Sequence, residues 1–201
     1  MEIREPAVAY GRRKYSIEEY LEIEEAAIEK HEYYQGEIFD MAGAKHEHNL
    51  VLKNLYFALG NKLKGKPCQP FSSDTRIHIE KNSLFTYPDI SVICGDPVYR
   101  NNDDLNLLNP TVIIEVLSPS TKSYDQGEKF ALYRDIPTLK EYIIADPDKI
   151  KIAAYHINSG GHWELREYKS MEEVLQLKSI KTTVKLNVIY EGTKAGKGLS
   201  L

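Results

Sequence analysis

The chain has 201 residues, 42% hydrophobic and 28% charged, which suits one globular domain with a sizeable core. Its 26 Lys and Arg stand against 30 Asp and Glu, a formal charge of -4, so no global field draws it to nucleic acid, although a local basic face still could. No apolar run approaches membrane-spanning length and the N-terminus lacks a signal-like apolar segment. The expectation is a cytoplasmic protein with Cys68 and Cys94 as reduced thiols.

Residues 1–15 read as an irregular segment. Ser16-Ile17-Glu18-Glu19 is a capping box, with Ser16 as N-cap and Glu19 at N3, and predicts a short helix to about Ala27. Glu32 to Gln35, a turn at Gly36, and Ile38 to Met41 read as a hairpin. From His46 to Leu63 the apolar residues Leu52, Leu55, Tyr56, Leu59 and Leu63 recur at helical spacing. Lys53, Lys62, Lys64 and Lys66 form an acid-free stretch over and just beyond that helix. They fit phosphate contacts or simple neutralisation of the helix dipole equally in kind.

Asp74 to Ile79 alternates as a strand, closed by a turn from Glu80 to Ser83, and Asp89 to Cys94 is the next strand. A polar loop from Gly95 to Asn109 leads to an interior-type strand, Thr111 to Leu117. Ser118 to Thr121 breaks it, Tyr124 to Arg134 reads as a helix, and Pro137 ends that unit. Lys140 to Ala145 is a further strand. Ile150 to Tyr155 and Trp163 to Tyr168 flank an Asn-Ser-Gly-Gly turn as a hairpin. One more strand is expected within Thr183 to Tyr190, and residues 192–201 as a frayed tail. The order predicts one α/β domain over 1–201, a central mixed β-sheet flanked by helices with β-hairpin decorations. No glycine-rich phosphate loop or dinucleotide fingerprint follows a strand, so nucleotide cofactors are not expected.

Two acids stand out within apolar surroundings: Asp89, which follows Tyr87-Pro88 and opens a strand, and Glu115, in Thr-Val-Ile-Ile-Glu-Val. Ionised carboxylates are rarely buried unless paired or bound to a cation. With the carbonyl of Val116 they offer the hard oxygens that Mg²⁺ or Mn²⁺ prefers. Lys129, one helical turn beyond Asp125, is the candidate lysine, with Lys122 as substitute. A purely structural network of the same side chains is the competing reading. Glu47 or His46, at the front of the long helix, could join as outer support. Arg76 and the lysines from Lys53 to Lys66 are candidate backbone contacts for a nucleic acid. His46 and His48 lack zinc-protease spacing, and Ser118 and Ser120 lack a nucleophile-elbow context.

The segments TYPDISVI and TVIIEVLSPSTKSYDQGEKFALYRDIPTLKEYIIAD resemble the Uma2 family, abundant in cyanobacteria and placed in the PD-(D/E)xK restriction endonuclease-like superfamily. The resemblance implies a restriction endonuclease-like core and Mg²⁺- or Mn²⁺-dependent phosphodiester hydrolysis, with DNA as the expected substrate class and Asp89 and Glu115 as the motif acids. The superfamily's usual lysine would fall at Leu117, so the resemblance implies a lysine relocated to Lys129. Cutting a duplex needs two sites, which implies a homodimer. The alternative is a non-catalytic nucleic-acid-binding or protein-interaction module that keeps the nuclease fold.

Overall fold

The computed structural model describes residues 13–41, 43–118, 125 and 127–198. The capping box forms as the sequence requires: Glu19 N–H donates to the Ser16 hydroxyl, and Ser16 N–H donates to the Glu19 carboxylate. It starts α1 (Ile17–Ala26), which leads to the hairpin of β1 (His31–Tyr34) and β2 (Glu37–Asp40). Gly36 takes φ +89° at the turn, a backbone conformation open to glycine at little cost. The long helix α2 (His46–Leu63) follows, burying His48, Val51, Leu55, Leu59 and Leu63 along one face.

Next come β3 (Cys68–Ser72), β4 (Arg76–Ile79), β5 (Leu84–Thr86) and β6 (Ile90–Cys94). The polar segment beyond holds a 3-10 turn at Arg100–Asn102 and the two-residue β7 (Asn106–Leu107). Then β8 (Pro110–Val116), α3 (Glu128–Tyr133) and β9 (Glu141–Asp146) form a parallel crossover unit. A hairpin of β10 (Lys151–Ile157) and β11 (Trp163–Tyr168) extends the sheet. The chain closes with β12 (Val174–Leu177), β13 (Thr182–Lys185), α4 (Leu186–Ile189) and α5 (Lys194–Lys197).

The central sheet is mixed and six-stranded, in the order β11-β10-β9-β8-β6-β3, with β8 and β9 parallel. A five-stranded sheet, β2-β1-β5-β4-β7, stands beside it. Val112, Ile114 and Val116 of β8 join the cluster formed with α2 and the β12–β13 hairpin. Ile113 and Leu117 join the opposite cluster, with α3 and strands β4 and β5. Both faces of β8 are therefore covered, which is why its sequence runs apolar instead of alternating. The period of two also assigns Glu115 to the face of Ile113 and Leu117, beneath α3.

Several expectations change. Cys68 and Cys94, expected as reduced thiols, form a disulfide, because β3 and β6 place them directly opposite one another. β3 escapes the sequence reading because Pro70 interrupts it, a residue tolerated on an edge strand such as this one. The single strand expected within Thr183 to Tyr190 stops at Lys185 and turns into α4, and the tail expected to be frayed contains α5, N-capped by Thr193. The expected helix Tyr124 to Arg134 is described only in part, and its first residue lies outside the described set. Among the described residues no helix is long and apolar enough to cross a membrane.

Candidate metal centre

Asp89 and Glu115 meet at one end of the neighbouring strands β6 and β8. Asp89 N–H donates to Glu115 Oε2 (3.2 Å), and Val116 N–H donates to Asp89 Oδ2 (2.8 Å). Each carboxylate is thus fixed by a main-chain group beside the other acid. The N–H and C=O of one strand residue leave the strand on the same side. The Val116 carbonyl therefore lies on the side of Asp89, while the next amide, Leu117 N–H, turns away to Ala145.

Lys129 comes down from α3 onto this pair. Its Nζ lies 3.0 Å from Glu115 Oε1, 3.2 Å from Glu32 Oε1 and 3.8 Å from Asp125 Oδ1. Asp125 precedes the first turn of α3, and its carboxylate still reaches the ammonium four residues on. Tyr133, one further turn on, donates its hydroxyl to Glu115 Oε1 (2.7 Å). Leu117, where the superfamily's lysine would stand, is packed into the apolar cluster beneath α3. The side chain of Asp89 is the most open of the acids, 16% exposed against 6% for Glu115 and 5% for Asp125.

Burial pushes the Glu115 carboxyl up to about 7; Lys129 counters it, while the nearby charges of Asp125 and Asp89 add to it. Burial also opposes the charge of Lys129, but Glu115 and Glu32 outweigh it and hold its pKa well above the usual lysine range. The Tyr133 phenol is raised by burial and by Glu115, so it stays a neutral donor.

Two neighbours were not singled out from the sequence. His48 Nε2 lies 3.1 Å from Asp89 Oδ2. Burial works to lower its pKa, yet the hydrogen bond and charge of Asp89 prevail and raise it. Glu32, from β1, accepts from both Lys129 and the Thr86 hydroxyl. His48 was legible in principle: it shares the helical face of Val51, Leu55 and Leu59, whereas His46 does not.

The expected outer residues fare differently. His46 is exposed, and Glu47 accepts from Lys194 N–H instead of facing the acids. Lys122 lies outside the described residues. Lys53, Lys62, Lys64 and Lys66 are exposed, and Lys62 lies about 21 Å along α2 from His48 at 1.5 Å per residue. Arg76, a candidate phosphate contact, is buried and donates to Asn106 Oδ1 (2.5 Å) and the Tyr87 hydroxyl (3.2 Å). It is a structural cation that locks the segment leading to Asp89.

The donor set suits a hard cation. Three carboxylates (Glu32, Glu115 and Asp125) meet the Lys129 ammonium, and Asp89 adjoins Glu115 through its own N–H. Among the described residues no three His, Cys, Asp or Glu side chains form a ready-made cage. Mg²⁺ does not require one, since it is commonly held by one or two carboxylates and keeps several waters. Asp89, Glu115 and the Val116 carbonyl meet that requirement.

Comparison with known proteins places the family and the fold. The family model Uma2, described as "Putative restriction endonuclease", matches residues 17–188. "Uncharacterized protein slr1290" of Synechocystis sp. (strain ATCC 27184 / PCC 6803 / Kazusa) is 39% identical over 179 residues, covering 89% of this chain and 93% of that protein. "Uncharacterized protein sll1609" of the same organism is 38% identical over 149 residues, covering 74% and 84% respectively. A crystal structure described as "a putative nuclease belonging to DUF820" from Anabaena variabilis ATCC 29413 superposes with a TM-score of 0.71 at 16% identity, covering 88% of this chain and 97% of that one. The likeness extends the shared architecture to a solved protein, and the match across residues 17–188 shows that the chain belongs to the Uma2 family.

Proposed function

We propose that this protein is a divalent-cation-dependent endonuclease that hydrolyses phosphodiester bonds in DNA. The observation that carries the reading is the position of Lys129: its ammonium meets Glu115 although the superfamily's usual lysine position is occupied by Leu117. An acid pair with a lysine supplied from a different element keeps the chemistry of the superfamily's site. The family description supports nuclease activity, and the chemistry of the acid pair and its lysine supports the cation and the DNA substrate.

Mg²⁺ or Mn²⁺ held by Asp89, Glu115 and the Val116 carbonyl would lower the pKa of a nucleophilic water and neutralise charge developing on a phosphoryl oxygen. The chain's own residues prepare the site. His48 and Val116 N–H orient Asp89 through the same oxygen, Oδ2. Tyr133 and Lys129 share Glu115 Oε1, and Glu32 holds the ammonium from a second direction. A charged Lys129 offers a fixed positive centre to a phosphate group.

The test is cleavage of supercoiled plasmid and of single-stranded DNA with Mg²⁺, Mn²⁺ or chelator. Wild type is expected to cut only with a cation. Folded Asp89→Ala, Glu115→Ala and Lys129→Ala are expected to lose at least about 100-fold in rate, the scale of removing one electrostatic stabiliser. Undiminished cutting by Asp89→Ala would reject the assignment.

A further inference from the structure

Among the described residues the central sheet ends in an edge strand, β11, with no strand beyond it. The register of its hairpin decides which groups point outward. Asn158 N–H donates to His162 C=O, so the alternation of an antiparallel ladder makes His156–Glu164 and Ala154–Arg166 the hydrogen-bonded pairs. Ile157 N–H supports this, since it turns to Lys140 on the opposite side of β10. The main-chain groups of Trp163, Leu165 and Glu167 therefore face away from the sheet.

Those three residues restrict how a second copy could add to the edge. Antiparallel pairing about a two-fold axis must place outward-facing residues opposite one another. An axis at Glu164 or Glu167 sets glutamate against glutamate, and one at Arg166 sets arginine against arginine. An axis at Leu165 sets Leu165 against its own copy and Glu164 against Arg166, twice. The Glu164–Arg166 pairs then occupy the non-hydrogen-bonded positions, where opposed side chains come closest, with Cα atoms about 4.5 Å apart. Opposite charges across such a pair favour the register, while like charges disfavour axes at Glu164, Arg166 and Glu167.

The side chains are placed for it. Leu165 is 53% exposed, an apolar residue flanked by Glu164 and Arg166. Arg166 lies over the Tyr168 ring, 4.8 Å from its centroid. Glu164 is exposed and is held in place by Asn158 and His156. Both charges sit on the face opposite Leu165, as the period of two requires.

We infer that β11 is a homodimerisation edge: two copies pair their β11 strands antiparallel about Leu165, joining their central sheets, with Glu164 of each facing Arg166 of the other. The inference concerns assembly and is independent of the nuclease reading. Charged edge residues also serve to discourage pairing, and the experiment separates the two roles.

The measurement is molar mass by light scattering and sedimentation over a range of concentrations, with circular dichroism confirming the fold of each variant. Wild type is expected as a dimer, Arg166→Glu and Glu164→Arg each as weakened dimers by at least about tenfold, and the double exchange as a restored dimer. Because Cys68 and Cys94 are disulfide-bonded, Leu165→Cys adds the free thiol and is expected to cross-link to its own copy under mild oxidation. A monomer at every concentration overturns the proposal. So does a dimer that none of the edge substitutions weakens.

Discussion

Lys129 lies buried with its ammonium within 3.0 Å of Glu115 and 3.2 Å of Glu32, so it is as much a structural cation as a chemical one. Lys129→Met leaves those acids uncompensated, at a cost of about 3–5 kcal/mol at neutral pH. The deficit should shrink in acid, because Glu115 already stands at about 7 and takes up a proton more readily once the lysine is gone. Urea unfolding at pH 5 and pH 8 reads the difference directly; an equal deficit at both would disconnect Lys129 from the acids. Asp89 and Glu115 were readable in the sequence because charged side chains inside apolar strands need a reason. Glu32 was not, since its partner Lys129 is 97 residues away and only the packing of β1 against α3 joins them.

His78 on β4 gives a separate pH signature. It is buried, its ring stacks on Phe85 at 3.9 Å, and neither ring nitrogen has a hydrogen-bond partner among the described residues. Burial, with Arg100 adding to it, lowers its pKa to about 4. Above pH 6.5 the ring is neutral in both states and adds no pH dependence. As pH falls from 6.5 towards 4 the unfolded chain takes up a proton that the folded one refuses, so stability drops, by on the order of 3 kcal/mol across the window. His78→Phe keeps the stacked ring and should remove that slope; chemical denaturation at pH 7 and pH 4.5 would show whether it does.

At the scale of elements, the disulfide ties edge strand β3 to β6, the strand that begins just after Asp89. It closes a loop across a separation of 26 residues, and the chain-entropy account makes such a link worth about 3–4 kcal/mol. Reductant or Cys94→Ser should lower the melting temperature accordingly, and an unchanged melting curve would show that the link adds no stability. The helix α1 depends on its capping box, so Ser16→Ala should cost about 1 kcal/mol, seen as a small shift in the urea midpoint. Helices and the long apolar strands were legible because period and caps are local. β3, β5 and β12 were not, since they are short strands specified by their neighbours in the sheets.

For the whole molecule, two sheets, α2 and α3 bring together residues from five separate stretches of chain, at Glu32, His48, Asp89, Glu115 and Lys129. The fold class followed from the element order and from the family resemblance. The exchange of His46 for His48 shows where reading stopped: helical phase was available, but nothing local said which face would meet Asp89. The central claim is that this convergence is a cation site. Isothermal titration calorimetry of Mn²⁺ into wild type, Asp89→Asn and Glu115→Gln tests it without any substrate. Saturable binding to wild type that disappears in both folded variants is the predicted result; a wild type that binds no cation at millimolar concentration, or an Asp89→Asn protein that binds as wild type does, would contradict it.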